Sequence, residues 1–260
     1  MTVSGEAYAW SEMAEEPATA KSERTRRAIG RLTADVAIAC AASFSRTSTS
    51  ASVDTLQDRL VDTFKYAQAK WFSGYNATAF RHDVIPNLDA RKPILLTLPG
   101  HLIVVDGYAW NSEAQGTLYV HANMGWKGSQ DGWYVPPRIA SYSLIQGVLG
   151  NIFKSDTGYI VSGRVLGTDG RPIKGAVVRL KDGNCVEATS KETDSQGIYS
   201  IICRSSLGGK AYDLEASCGS QSRTVRMARY YLAYNVLQDI TLPVEVVVAD
   251  PVVTCTKGTA

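Results

Sequence analysis

Between Pro93 and Trp110 the chain reads PILLTLPGHLIVVDGYAW, two apolar runs rich in Ile, Leu and Val on either side of a Pro-Gly break. Runs this short and apolar predict buried strands, and the Pro-Gly pair punctuates them. The residue after the break is His101, leading into the alternation of Leu102, Val104 and Asp106. A histidine placed where a turn becomes a buried strand is held rigidly while one ring edge stays open, as a general base requires. For a lone histidine, a polar cap on a strand end is the plainer reading. The next stretch, GTLYVHANMGWKGSQDGWYVPP, shifts the balance by supplying Asn123 and several aromatics at the next strand's end.

His101 and Asn123 are the two non-nucleophilic members of a Cys-His-Asn arrangement. In such a site the imidazole holds the thiol proton, so that the cysteine exists as a thiolate, and the carboxamide fixes the ring's orientation. Trp126 is placed to cover that contact and exclude water. Turn chemistry between two aromatic strands by itself explains Gly125, Gly128, Asp131 and Gly132.

These residues resemble a known family. PGHLIVVDGYAW followed by YVHANMGWKGSQDGWY is similar to the histidine- and asparagine-bearing region of the streptopain family of papain-like bacterial cysteine peptidases. The family pattern is roughly Gly-Gly-His-x-Phe-Val-Ile-Asp-Gly, then His-x-Asn-Trp-Gly-Trp-Gly-Gly, then Ser-Asp-Gly with two aromatics. The resemblance makes His101 the catalytic histidine, Asn123 its orienting asparagine, and Gly100 and Trp126 substrate-binding positions. It extends upstream through LTADVAIACAASFS and YAWSEM, and so spans most of the first 150 or so residues in the right order. An ordered match in several parts is far more specific than one motif.

The chain also departs from that pattern. The family's nucleophile lies in a Gly-Cys-Val-Ala-Thr-Ala segment ahead of the Tyr-x-Trp motif, and no residue here matches it, since Met1 stands just before Tyr8. Met124 replaces the first tryptophan of Asn-Trp-Gly-Trp, and the glycine-rich loop is shortened to Leu98-Pro99-Gly100. There is no basic and apolar leader of the signal-peptide kind at Met1. The expectation is a peptidase portion lacking its nucleophile segment, hydrolytically silent alone, with that missing part as a partner.

Ahead of the central strands the pattern is helical. Ala28, Ile29, Leu32, Val36 and Cys40 recur at spacings of three and four from Ser22 to about Phe44, predicting a buried stripe. Cys40, the first domain's one cysteine, reads as a small core hydrophobe, because a reactive thiol needs an electropositive, partly exposed setting. Val53, Leu56, Leu60, Val61 and Phe64 predict a second amphipathic helix, capped by Ser52 or Asp54. A short helix is expected over residues 82–90. His82, beside Arg81 and Asp83, reads as a solvated surface residue, and His121 as a strand histidine facing a satisfied partner. The three histidines show no metal-ligand spacing, so neither a metal nor a cofactor is expected.

After the polar linker KSDTG the pattern changes to strands with period-two alternation and Asp-Gly or Gln-Gly turns, predicting a small antiparallel sandwich. SGRVLGTDGRPIKGAVVRL with TDSQGIYSI resembles the carboxypeptidase regulatory-like domain, a transthyretin-like β-sandwich. Its matching positions, Gly163, Asp169, Gly170, Pro172, Gly175, Ala176, Val178, Asp194, Gly197 and Tyr199, are turn and core residues. They imply a fold and not a chemistry.

The organisation expected is an α+β papain-like peptidase domain over residues 1–155, an all-β sandwich over 158–248, and a tail over 249–260. With 260 residues, 45% hydrophobic and a net charge of +2, nothing points to nucleic acid, and no apolar run reaches the ~18 residues of a membrane span. Cys185, Cys203, Cys218 and Cys255 allow one or two disulfides in an oxidising compartment. The resemblance implies protein or peptide substrates and a secreted or cell-surface location. A pseudo-peptidase that binds in the old cleft, and an adhesion protein working through the sandwich, are the alternative functions.

Overall fold

Leu98 pairs with His101 across the two residues Pro99 and Gly100, so the central apolar stretch folds into a tight hairpin. The proline ring fixes the first turn position, and Gly100 takes φ 71°, the left-handed conformation that the second position of a type II turn requires. In the computed structural model residues 3, 5–15, 19–111, 116–155, 157–181, 190, 192–203, 212–227, 235–244 and 253–254 are described.

The hairpin strands β4 (Ile94–Leu98) and β5 (His101–Trp110) lie inside a six-stranded sheet. The others are β3 (Gln68–Ser73), β6 (Leu118–Asn123), β7 (Gly132–Tyr134) and β8 (Gly147–Phe153), in the order β3-β8-β4-β5-β6-β7 with every pairing antiparallel. One face is a dry core: Ile94, Leu96, Leu98, Ile103, Val105, Val120 and Ala122 are all at most 1% exposed. Each such large aliphatic side chain contributes about 2 kcal/mol on leaving water.

Helix α3 (Ala77–Asp89) lays Phe80, Val84 and Ile85 on that face. It begins five residues before the helix expected from sequence, because Asn76 caps it: Asn76 Oδ1 accepts from the backbone N–H of Thr78 at 3.0 Å and of Ala79 at 3.1 Å.

The N-terminal helices differ from expectation. Helix α1 (Glu23–Ala39) is capped by Ser22, but its only fully buried side chain is Asp35, which accepts a hydrogen bond from Tyr8 Oη at 2.9 Å. Val36, expected inside, is 40% exposed. The stripe is real in sequence, but α1 packs chiefly on a 3-10 turn at Trp10–Glu12 and not on the sheet. Cys40 ends the helix as a half-buried cap residue. A small hairpin follows, two-residue strands β1 (Ser43–Phe44) and β2 (Thr49–Ser50) joined by residues 45–48. The second helix is one short turn, α2 (Leu56–Asp58), continued as a π-helical turn over Arg59–Thr63. Among the described residues no helix is long and apolar enough to cross a membrane. The protein is thus α+β with a predominance of strand.

The C-terminal strands are β9 (Tyr159–Leu166), β10 (Ile173–Lys174), β11 (Val177–Lys181), β12 (Ile198–Cys203), β13 (Tyr212–Cys218), β14 (Gln221–Met227), β15 (Val236–Leu237), β16 (Ile240–Thr241) and β17 (Val253–Thr254). They form two main sheets, β12-β9-β15 with β16 also on β9, and β11-β13-β14. Side chains from both meet in one cluster that includes Val161, Val165, Val178, Tyr199, Ile201 and Leu214. Contrary to a purely antiparallel expectation, β15 and β16 run parallel to β9, and β17, within the expected tail, runs parallel to β10. Gly163 makes this close approach feasible: a Cβ there would lie 1.9 Å from the carbonyl oxygen of Gln238.

The five-residue linker does not leave the two strand groups independent, since α3 packs on β8 and β5 and also on β9, β12 and β15. Three buried asparagines tie the junction. Asn151 of β8 donates through Nδ2 to Asn235 Oδ1 at 2.9 Å and accepts from Asn235 Nδ2 at 2.8 Å and Asn87 Nδ2 at 3.0 Å. Its own N–H donates to Asn87 Oδ1 at 2.8 Å. Beside them Asp89 accepts from Tyr108 Oη and from Ser162 Oγ, each at 2.7 Å. Burial pushes the Asp89 carboxyl up to about 7, against those hydrogen bonds, with Asp239 and Asp194 adding to the rise.

Two expected outcomes follow from the junction. Asn151→Ala should lose about 2–4 kcal/mol in urea unfolding, because it strands buried amides of Asn87 and Asn235. It also puts alanine at φ 47°. For Asp89, a folded-state value of about 7 against an ordinary 3.8 means that the folded chain keeps a proton the unfolded chain releases. Its contribution to stability is therefore full below the lower value and lost as pH rises through the upper one. Asp89→Asn should flatten the fall in unfolding free energy between about pH 4 and about pH 7, and an unchanged slope would refute this.

Candidate functional site

Strand parity decides where the two expected catalytic side chains point. His101 pairs with Leu98, a fully buried core residue, so the imidazole lies on the core face at the end of the sheet. Asn123 pairs with Val104, whose neighbours Ile103 and Val105 are the buried ones, so the carboxamide lies on the opposite face. The structure does not bring these two side chains together. Asn123 Oδ1 instead accepts from the N–H of Gly125 at 2.9 Å, an Asx turn that closes the strand end.

The orienting contact on His101 comes from the backbone. His101 Nε2 lies 2.9 Å from the carbonyl oxygen of Met124. A carbonyl only accepts, so Nε2 carries the proton, and in the neutral ring Nδ1 is the unprotonated, basic nitrogen. Nδ1 has no partner among the described residues. The Met124 peptide is itself pinned, its N–H donating to Asp131 Oδ1 at 2.7 Å and its side chain wholly buried. A methionine serves here as well as a tryptophan because the contact uses the main chain.

Trp126 stacks on His101 with ring centroids 4.7 Å apart and planes 23° apart, and Tyr142 lies nearly parallel at 6.0 Å. Trp126 remains 38% exposed, so it covers the imidazole and still offers apolar surface to solvent. Gly100, immediately before the histidine, is exposed and has open space where a side chain would stand.

Sequence reasoning missed three members of this site: the Met124 carbonyl, Asp131 and Tyr142. Asp131 had a signal, the Ser-Asp-Gly element of the family pattern, but its local setting reads equally as a turn residue. The Met124 carbonyl had none, since every residue carries one.

The remaining candidates fall elsewhere. Cys40 is a free thiol whose pKa burial raises, with the charge of Arg59 opposing, and no hydrogen bond or ring contact joins it to His101. This is the inert setting expected of a structural cysteine. Cys203 and Cys218 are disulfide-bonded, and Cys185 and Cys255 lie outside the described residues. His82 is not a solvated surface residue: it is half-buried in α3, and burial lowers its pKa against a hydrogen bond involving the backbone of Asn235. With Thr78, Arg81, Gln238 and Asp239 it lines a cleft of about 520 Å³. His121 has the partner expected of a strand histidine, its Nδ1 standing 2.6 Å from Asp106 Oδ1.

Nitrogen NMR of the imidazole is the direct check on this geometry. The neutral His101 ring should be found as the Nε2–H tautomer, and Asn123→Ala should leave that tautomer unchanged while costing about 1 kcal/mol of stability through the lost turn contact. A switch of tautomer in Asn123→Ala would return the orienting role to the carboxamide.

Comparison with known proteins identifies a family. The sequence model of the Peptidase C10 family matches residues 1–134. No curated protein matches. Among solved structures, the dioxygenase domain of a dioxygenase carbohydrate-binding protein fusion from the cellulolytic bacterium Streptomyces sp. SirexAA-E is 14% identical, with 36% of this chain and 86% of that one covered at a TM-score of 0.27. Catechol 1,2-dioxygenase from Acinetobacter sp. ADP1 is 13% identical, with 38% and 59% covered at a TM-score of 0.25. Likenesses at these scores carry no argument about this chain.

Proposed function

The chain belongs to the Peptidase C10 family, and on that footing we propose that it carries the general-base half of a cysteine-peptidase site acting on proteins or peptides. The observation that carries this reading is the held tautomer of His101, which leaves Nδ1 basic on a half-exposed ring beneath Trp126. Nδ1 would take the proton of a cysteine thiol, giving a thiolate and imidazolium pair, and later return it to the leaving amine. The Met124 carbonyl keeps Nε2–H in place. Trp126 keeps water from the pair, and Gly100 leaves room for a substrate backbone. Asn123 acts in this reading by shaping the turn that presents Met124.

None of the described thiols suits the nucleophile's place. Cys40 is held as a protonated thiol, and Cys203 and Cys218 are in disulfides. These 260 residues alone should therefore not hydrolyse peptides, and a second reading, binding in the cleft without cleavage, draws on the same observation. The disulfides support an extracellular or cell-surface setting, in keeping with a family whose members are typically secreted. We read residues 158–248 as a carboxypeptidase regulatory-like sandwich that serves as an accessory and not as chemistry, because its matching residues, Gly163 among them, are structural.

A thiol-reactive peptide probe tests this directly. The chain as given should show no labelling at the cleft and no peptide hydrolysis. Labelling of Cys40 that His101→Ala abolishes would instead make that thiol the nucleophile. The coding DNA upstream of Met1 separates the two readings: an in-frame Gly-Cys-Val-Ala-Thr-Ala-like segment supports a peptidase, and its absence supports the binding protein.

A further inference from the structure

The face of the six-stranded sheet opposite the core carries a second group of side chains, Trp133, His121 and Asp106, that take no part in the site at His101, with Asn123 beside them serving the turn after β6. Trp133 of β7 pairs with His121 of β6, which pairs with Gly107 of β5. A Cβ on Gly107 would stand 3.4 Å from Cη2 of Trp133, so the tip of the indole reaches across β6 to a position on β5 that carries no side chain. The ring is nonetheless 52% exposed and so offers apolar surface to solvent. Contact of its tip with Gly107 and of its ring with His121 restrains its orientation before anything binds.

Polar groups stand on the same face of the sheet. Asp106 occupies a bulge in β5, between Val105 and Gly107, which turns its carboxylate toward His121 Nδ1 at 2.6 Å. The carboxylate accepts, so His121 Nδ1 carries the proton, and in the neutral ring Nε2 is left as an acceptor, with the second carboxylate oxygen as another. Asn123, two residues along β6 on the same face, has its Oδ1 engaged by Gly125 and its Nδ2 free to donate. The Trp133 indole N–H is also without a partner among the described residues. His121 sits against the indole, with ring centroids 5.2 Å apart.

We propose that this face binds a neutral pyranose glycan, one sugar ring stacked on Trp133 and its hydroxyls bonded by Asp106, His121 and Asn123. The axial C–H bonds of a pyranose ring meet the electron-rich face of an indole favourably. Each hydroxyl donates and accepts at once, which suits fixed acceptors lying beside fixed donors. A hydrophobic peptide segment would use the ring but leave four polar groups at its edge without matching partners, so the chemistry favours the sugar. The site is a platform and not a pocket, so a single chain should bind with a Kd on the order of 0.1–1 mM.

The test uses the full chain and three probes, cellohexaose, chitohexaose and maltohexaose, titrated with tryptophan fluorescence and calorimetry. At least one should bind saturably, Trp133→Ala should weaken it by about tenfold or more, and Asp106→Asn by about fivefold, while Trp10→Ala should leave it unchanged. A far-ultraviolet spectrum and melting temperature matching the wild type show that each variant is folded; should Trp133→Ala fail this, Trp133→Leu keeps the apolar bulk and removes the flat face. No saturable binding of any probe would overturn the proposal. So would binding that survives loss of the ring, or preferential binding of a hexaproline peptide to the same tryptophan.

Discussion

A two-residue turn, Pro99-Gly100, holds Leu98 opposite His101, and most of what the protein presents to a ligand is set by that register. Because side chains alternate along a strand, fixing one pair fixes the face of every residue on β4 and β5, and through the next pairing the face of every residue on β6. His101 goes to the core face and stays half-open only because it stands at the strand's end. Asn123 and His121 go to the other face. Between β5 and β6 the count slips at the Asp106 bulge, where a carboxylate turns toward His121.

That register gives the sheet two chemically distinct sides. On one, the backbone carbonyl of Met124, a residue whose N–H donates to Asp131, orients an imidazole between aromatic rings. The carbonyl asks nothing of the side chain at that position, which is why Met124 can be buried and apolar without cost to the contact. On the other, an acid, an imidazole and a carboxamide line the edge of an exposed indole.

The junction obeys a different constraint. Polar groups sealed between two apolar clusters must find partners or be expensive, and the asparagines at 87, 151 and 235 do so by exchanging hydrogen bonds through Asn151 and with the backbone of Asp83, Gly158 and Ile160. Their directionality gives a single docking of α3 against both strand groups, where apolar packing alone would accept several. Asp89 sits in the same seam, and burial makes its charge cost more than two hydroxyl partners return.

How legible all this was from residues alone depended on the range of the interaction concerned. The apolar runs around Pro99-Gly100, the alternation in TLYVHANM and the turn residues after residue 158 are local patterns, and local sterics and burial fix strands, turns and an α+β composition from them. The ordered motifs likewise singled out His101 and Trp126 before any coordinate. Tertiary structure decided the rest. Whether the stripe of α1 is covered depends on what packs against it, and Val36 stays exposed. Whether Asn123 reaches His101 depends on pairing register, which a sequence pattern of period two leaves free until a partner strand fixes it. And the group that orients the imidazole is a main-chain carbonyl, identical in every residue, so only the folded path of the chain could select the one at Met124.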